Sequence, residues 1–208
     1  MTTAGQSETF QRFARSVAGK DPDWRESVDV DALMALEKDE RRAAEEMLIE
    51  RIEVDDWRAP PALAAAECRG AVMPMKRALA GDASGRMKVA MALALEKLEA
   101  IEKADPIVAE VLREGDPDSG LAALVAAEEM KSPEIRDALA WACLHHPSRV
   151  VRVNAGATLF YMAGLAENAM ALDYRVIYID LGEDDPAVRR KAFEQICDIV
   201  GMPPELAG

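Results

Sequence analysis

The side chains in this sequence that could do chemistry begin with two adjacent histidines. His145 and His146 are the only histidines present. Adjacent residues on a helix point in different directions, so the pair does not readily chelate one ion, and a zinc site needs three or four converging ligands. A histidine at the C-terminal end of a helix suits the negative end of the helix dipole. The pair therefore predicts a helix end and no metal site.

A second group of candidate side chains is a run of carboxylates. Glu45, Glu46, Glu50 and Glu53 lie close together in one charged segment. A di-metal site in a helix bundle uses Glu-x-x-His on facing helices, and that pattern does not occur in the sequence. A charged run of this kind is typical of a solvated helix face.

Nucleophilic chemistry is predicted to be absent. The three cysteines, Cys68, Cys143 and Cys197, are far apart and lie among apolar neighbours, which indicates buried, reduced thiols in a cytoplasm rather than a disulfide framework. The glycine-rich phosphate loops and the Gly-x-Ser-x-Gly nucleophile turn do not occur in the sequence. We therefore predict a protein that is not an enzyme and needs no cofactor.

The charge balance limits the partners of the chain. It has 38 acidic and 25 basic residues among 208, a net charge of −13. Such a surface repels phosphate backbones, so we expect no nucleic-acid partner. It attracts a basic protein, although the same charge also serves solubility.

No run approaches the roughly 20 apolar residues that span a bilayer, and Met1–Phe10 is too polar for a targeting segment. We expect a cytoplasmic protein with no membrane contact.

The elements that position these residues are predicted to be helices. Half of the residues are apolar but only 5% are aromatic, and the abundant Ala, Leu, Met, Glu, Lys and Arg all favour helix. Asp39–Glu53 has apolar residues at helical spacing. Asp173–Leu181 alternates like a strand but would have no strand partner, so we predict a short or distorted helix there. The fold class is therefore all-α.

Turns that open helices recur along the chain at intervals of about 27 to 38 residues, close to the length of a helix-pair repeat. The markers are Asp55, Asp82, Asp116, Pro147 and Asp185. An Asp or Ser before Pro can cap a helix while the Pro presets its first turn, which predicts helix starts at 105–106, 116–117, 132–133 and 185–186. The helices predicted after these turns are Gly85–Glu102, Pro106–Arg113, Leu121–Met130, Pro133–His145, Val150–Leu165 and Ala187–Val200, with Leu93 and Ile199 among the side chains facing inward.

Two of these helix-opening segments share one pattern, which is an acidic or polar turn, then Val-Arg, then small apolar residues. They are 184–193 and 148–157, and they resemble HEAT-like repeats of the type first named from phycobilisome lyases. The resemblance extends over 55–200 at the level of repeat pattern, and departs from it where Pro60-Pro61 and Gly85-Arg86 stand. It implies a curved α-solenoid of antiparallel helix pairs, with a concave face for macromolecules. It does not imply lyase activity.

The domain expected from this resemblance is one HEAT-like unit over residues 1–208. Residues 1–37 form a capping segment, 38–200 the stacked helix pairs and 201–208 a tail.

Candidate partner-binding residues are large amphipathic side chains near the turns, because Trp, Tyr and Arg dominate binding energy at interfaces. They are Trp57, Arg58, Trp141, His145, His146, Arg149, Arg152, Asn154, Tyr161, Tyr174 and Arg175. Some of them, such as Trp141 and Tyr161, could instead fill the interior. An acidic set could make the contact electrostatically: Glu46, Glu50, Glu53, Asp55, Asp56, Glu183, Asp184 and Asp185.

These observations favour a non-catalytic protein-binding solenoid. A specific form is an immunity protein that occludes the active site of a bacterial toxin with a basic surface. The alternatives are a bilin-lyase-like enzyme or enzyme subunit, which would need a deep polar pocket and a chromophore, and a general scaffold or adaptor. A nucleic-acid-binding repeat of the alkylpurine glycosylase kind would need a basic groove.

Overall fold

The computed structural model describes residues 6–19, 27–114, 116–169 and 171–207. Within them the chain forms α-helices and short 3₁₀ turns and no strand, so the predicted all-α class is confirmed. Part of the predicted capping segment, residues 1–37, lies outside the described residues. By its backbone contacts the chain divides into two compact units, Met1–Glu102 and Lys103–Gly208.

Among its described residues the first unit has six helices, which are α1 Glu8–Val17, α2 Val30–Ala35, α3 Lys38–Glu53, α4 Ala59–Ala65, α5 Val72–Leu79 and α6 Gly85–Lys97. α3 packs against α1, α4 and α5, and α6 packs against α4 and α5. The fully buried side chains at the centre of this unit include Phe13, Leu33, Leu48, Leu63, Met75 and Leu95.

In the part of the second unit that the structure describes there are six more helices, which are α7 Asp105–Arg113, α8 Pro117–Ala127, α9 Pro133–His145, α10 Arg149–Met162, α11 Arg175–Tyr178 and α12 Pro186–Val200. α7 packs against α8 and α9, α10 packs against α8 and α9, and α12 packs against α9 and α10. The large core side chains are Leu112, Ile135, Phe160 and Phe193.

Most of the predicted helix starts in the second unit are confirmed by their capping bonds. The Asp116 carboxylate accepts a hydrogen bond from the Ser119 backbone N–H at 2.9 Å, and Ser132 caps α9 in the same way. Asp185 accepts from the N–H of Ala187. The prediction that Asp105 caps the helix beginning at Pro106 is wrong. Asp105 is already the first helical residue, and its predecessor caps α7 without a side-chain bond.

Two predicted inward side chains are wrong. Leu93 is 39% exposed and Ile199 is 41% exposed, because each lies off the stripe of its helix that faces the neighbouring helices. The helix predicted to run from 85 to 102 ends at Lys97, since Glu99 adopts a left-handed backbone conformation with φ 54°, which cannot continue a right-handed helix.

The ambiguous segment from 173 to 181 is helical. It forms the short helix α11 and then the 3₁₀ turn Ile179–Gly182, so the prediction of a short or distorted helix is confirmed. The tandem prolines that depart from the repeat pattern begin α4, where their missing N–H groups would have no helical partner in any case. No helix among the described residues is long and apolar enough to cross a bilayer.

Candidate protein-binding surface

An exposed apolar surface lies in the second unit, between α8 and α10. We call it the α8–α10 groove. It encloses about 230 Å³ and is lined by Leu121, Leu124, Val125, Glu128, Asn154, Thr158 and Ala169. Thr158 and Leu124 are almost fully buried and lie in its wall, whereas Val125 is 68% exposed and Leu121 38% exposed. The groove is therefore open to a partner from outside.

The composition of α8 explains why this surface stays uncovered. One face of the helix packs through small residues, including Gly120, Ala123 and Ala127, which are buried. This lets the neighbouring helices approach closely. Leu121 and Val125 stand one helical turn apart on another face. Val150, in the first turn of α10, is 53% exposed and lies one helical turn before Asn154, which lines the groove.

Carboxylates stand at both ends of the stretch 118–128, which comprises most of α8 and its C-cap and supplies four of the residues that line the groove. Glu128 is itself one of these lining residues. Asp118 is exposed and lies one turn before Leu121, on the same face of α8. Asp116, beside it, has its pKa lowered by the hydrogen bonds it accepts from Ser119, so it stays ionised at neutral pH. The helix start suits these charges because its dipole is positive there.

Asn154 is the one sequence-predicted binding residue that lines the groove. Its side-chain N–H donates to the backbone carbonyl of Val150 at 2.9 Å. Leu121 and Val125 were not predicted from the sequence, because aromatic and arginine side chains are the types expected to dominate binding. The sequence of α8 did indicate an exposed apolar face, because its aliphatic residues are spread too widely around the helix for all of them to be buried.

The predicted hot-spot residue Arg152 is a structural residue. It is 5% exposed, and its guanidinium donates to the carbonyl oxygens of Leu181, His146, Pro147 and Gly182 at 2.8, 3.0, 3.0 and 3.2 Å. It thereby ties the turn before α10 to the turn before α12.

The same arginine arrangement occurs at the start of α12. Arg189 donates to the carbonyl oxygens of Glu183 and Asp184, both at 2.9 Å. These acceptors precede Arg189 by six and five residues, as His146 and Pro147 precede Arg152. The Arg of the Val-Arg pair therefore fixes the turn before its own helix in both places.

His146 is buried at 1% exposure, beside Gly120 of α8. Its Nδ1 accepts a hydrogen bond from the Ser148 N–H at 3.0 Å, and its Nε2 has no hydrogen-bond partner among the described residues. Burial lowers the pKa of His146, and the charge of Arg152 adds to this, while Asp116 opposes it. The side chain is therefore neutral at pH 7 and serves packing.

His145 and Trp141 occupy a different surface, on α9. His145 is exposed and Trp141 half-buried, with their rings 5.5 Å apart. The Nε2 of His145 lies 2.7 Å from the carbonyl oxygen of Ala207, in the 3₁₀ turn Pro204–Ala207, which packs on α9. His145 therefore contacts the C-terminal turn, and neither side chain lines the α8–α10 groove.

The remaining predicted residues of the second unit are scattered. Tyr174 stacks on Phe160 with ring centroids 4.3 Å apart, and Tyr161 is half-buried. Arg175 and Asp184 are exposed. Arg149 lies 4.0 Å from Glu183, and both side chains are more than half exposed.

The predicted aromatic and basic residues of the first unit are engaged within it. The Arg86 guanidinium lies 3.7 Å above the centre of the Trp57 ring. Arg58 forms a 2.7 Å ion pair with Asp56 and also contacts the carbonyl oxygen of Val17. The hydrogen bonds and charge of Arg58 outweigh the effect of burial and lower the pKa of Asp56.

The predicted acidic residues of the first unit fall into two groups. Glu46 and Glu50 are exposed on α3. Asp55 accepts from the Ser84 N–H at 3.1 Å and borders a wider cleft of about 640 Å³ with Glu53 and Asp82. That cleft is the more open of the two, and charged side chains share its lining with Ile52, Pro74 and Ala78.

The geometry of the described residues offers little to catalysis. No group of three or more His, Cys, Asp or Glu side chains is placed among them to hold a metal ion. All three cysteines are buried and unpaired. Burial raises the pKa of Cys68, Cys143 and Cys197, that of Cys197 to about 11, and a protonated thiol is a poor nucleophile.

Comparison with known proteins gives no relative, since no family model, curated protein or solved structure matches this chain.

Proposed function

We propose that this chain is a non-catalytic, protein-binding α-solenoid of HEAT-like helix pairs. Two features support the repeat architecture. α7 and α8 pack against each other and then against α9 and α10 respectively, as successive helix pairs in a stack do. The arginine that fixes the turn before α10 also has a counterpart before α12. An internal repeat produces the same arginine-fixed turn more than once along a chain.

The observation that carries the binding function is the exposed aliphatic surface of the α8–α10 groove. Val125 is 68% exposed and Leu121 38% exposed, and both line a concave, mainly apolar surface. Apolar patches rimmed by polar residues mark sites of macromolecular association. A catalytic role has no comparable support, because both histidines and the buried arginine hold turns in place.

The specific form of this proposal is an immunity protein that acts in the cytoplasm. It would block a toxin by covering the toxin's active site. Toxins that cleave or bind polyanions carry basic clefts, and a protein of net charge −13 is attracted to such a cleft at long range. Rapid, charge-steered association suits an inhibitor that must act before its toxin does.

The test is co-expression with the product of the adjacent gene. We expect the two proteins to co-purify at a fixed ratio, and the neighbour alone to arrest growth that this chain restores. Stable binding without any growth effect would support a scaffold or adaptor rather than an immunity protein. If an untagged neighbour neither co-purifies nor affects growth, and no other protein is retained at stoichiometric yield, the binding proposal fails.

A further inference from the structure

We propose that the α8–α10 groove binds a basic amphipathic helix of a partner protein, with aliphatic side chains in the groove and Lys or Arg side chains over the carboxylates of Asp118 and Glu128. This inference rests on the proposed protein-binding function and names the surface and the partner chemistry.

The size and polarity of the groove favour aliphatic side chains. Its volume of about 230 Å³ matches one or two Leu, Ile or Met side chains and is smaller than the roughly 300–1,000 Å³ of pockets for cofactor-sized ligands. Leu121 and Val125 are four residues apart on α8, so they repeat along the groove at the spacing of one helical turn. A partner helix that runs along α8 can place its own residues i and i+4 against them.

The charges at the groove specify a basic partner. Asp118 and Glu128 are ten residues apart, which on an α-helix corresponds to roughly 15 Å along the axis. The groove-facing side chains of α10, Asn154 and Thr158, are uncharged. The nearby Arg149 packs over Gly182 and lies 4.0 Å from Glu183. A helix with cations about ten residues apart and aliphatic side chains between them is therefore complementary to this surface.

Other occupants fit less well. A second copy of this chain would bring acidic residues against acidic residues, in a protein whose net charge is −13. Nucleic acids and anionic lipid surfaces are repelled for the same reason.

The test is a selection from a phage-displayed library of 16-residue peptides on an alanine-rich helical frame, with the full-length protein as bait. We expect enriched peptides to carry Leu, Ile or Met at positions i and i+4, flanked by Lys or Arg. Their binding should weaken when the salt concentration is raised, as exposed charge pairs do. Enrichment of acidic or wholly polar peptides, or no enrichment, overturns the inference.

A matched pair of variants locates the binding site. Val125→Lys places a cation in the groove, whereas Val54→Lys makes the same change at a residue of nearly equal exposure in the first unit, 64% against 68%. Both variants should fold, because both side chains are exposed. We expect Val125→Lys to weaken the selected peptides at least about tenfold, through lost apolar contact and charge repulsion, and Val54→Lys to leave their affinity unchanged. Equal affinity for the two variants overturns the inference.

A charge exchange tests the polarity of the groove. Asp118→Lys combined with Glu128→Lys should weaken the selected basic peptides, and should favour versions of them in which Glu replaces each Lys and Arg. Analytical sedimentation of the wild-type protein and of Val125→Lys tests whether a second copy of this chain occupies the groove. A wild-type dimer that dissociates in Val125→Lys would assign the groove to self-association and overturn the inference.

Failure of this inference can be told from failure of the proposed function. If a natural partner binds wild type and Val125→Lys equally, the function stands and the groove is the wrong surface. If no natural partner exists, the function fails whatever the peptides do.

Discussion

Arg152 holds the corner between α9 and α10 through hydrogen bonds to carbonyl oxygens of two separate turns. A lysine at this position cannot reproduce the planar fork of donors, and would leave buried carbonyls unpaired at about 1–3 kcal/mol each. We expect Arg152→Lys to lower the free energy of unfolding by about 2–4 kcal/mol, measured by urea denaturation. Arg149→Lys is the control, because that side chain is 63% exposed and should change stability by less than about 0.5 kcal/mol. Equal effects of the two variants would contradict the structural role of Arg152.

His146 makes the stability of the protein depend on pH. Burial lowers its pKa in the folded protein below the value of about 6.5 that it has when unfolded. Below pH 6.5 the unfolded chain therefore binds more protons than the folded chain, and stability falls as pH falls from that value. Protonation at Nδ1 would also break the bond from Ser148. We expect the free energy of unfolding to fall more between pH 7.5 and pH 5.5 in wild type than in His146→Asn, whose amide oxygen can still accept from Ser148.

The carboxylates also titrate across this range, and the comparison of the two proteins removes their common contribution. The facing groups Asp116 and Arg152 are unchanged in His146→Asn. The same pH slope in both proteins would mean that His146 does not control it.

At this scale the sequence predicted residue chemistry better than residue location. The buried, unpaired positions of the three cysteines followed from their spacing and neighbours. The sequence could not show that Arg152 points inward, because an arginine is placed at an interface or in a turn by the positions of backbone carbonyls, and those depend on tertiary packing. Amphipathic side chains such as Trp57 are ambiguous for the same reason.

Between elements, Gly156 of α10 is the described glycine at which an added Cβ atom would have the closest contact. A Cβ atom there would lie 2.5 Å from Leu181 Cδ1 and 3.1 Å from Tyr178 Cβ. Alanine favours helix over glycine by about 1 kcal/mol, but overpacking a core costs about 1–3 kcal/mol. We therefore expect Gly156→Ala to destabilise the protein, measured by thermal unfolding. Combining it with Leu181→Ala should cost less than the sum of the two single changes, because the second removes the obstructing methyl. A higher Tm for Gly156→Ala alone would show that α10 has room to move.

The sequence predicted helix existence and most helix starts, because capping side chains act locally. Ser132 and Asp116 bond to N–H groups three residues ahead of them. Helix ends were less predictable. The helix α6 ends at Lys97, and no glycine indicates the left-handed turn that follows. The α8–α10 groove was not predicted, because the alanine-rich sequence of α8 does not indicate which face of the helix stays exposed.

For the whole molecule, the division into two compact units has a consequence for folding. The second unit, Lys103–Gly208, has its own core of large side chains, including Leu112, Phe160 and Phe193, and about 100 residues is an ordinary size for an independent domain. We expect the fragment 103–208 to fold alone, with a helical circular-dichroism spectrum and one cooperative thermal transition. It contains the complete α8–α10 groove, so it should bind the selected basic peptides as tightly as the full chain does. A fragment that stays unfolded while the full chain is stable would mean that the helix pairs need neighbours across the boundary, as a continuous solenoid does.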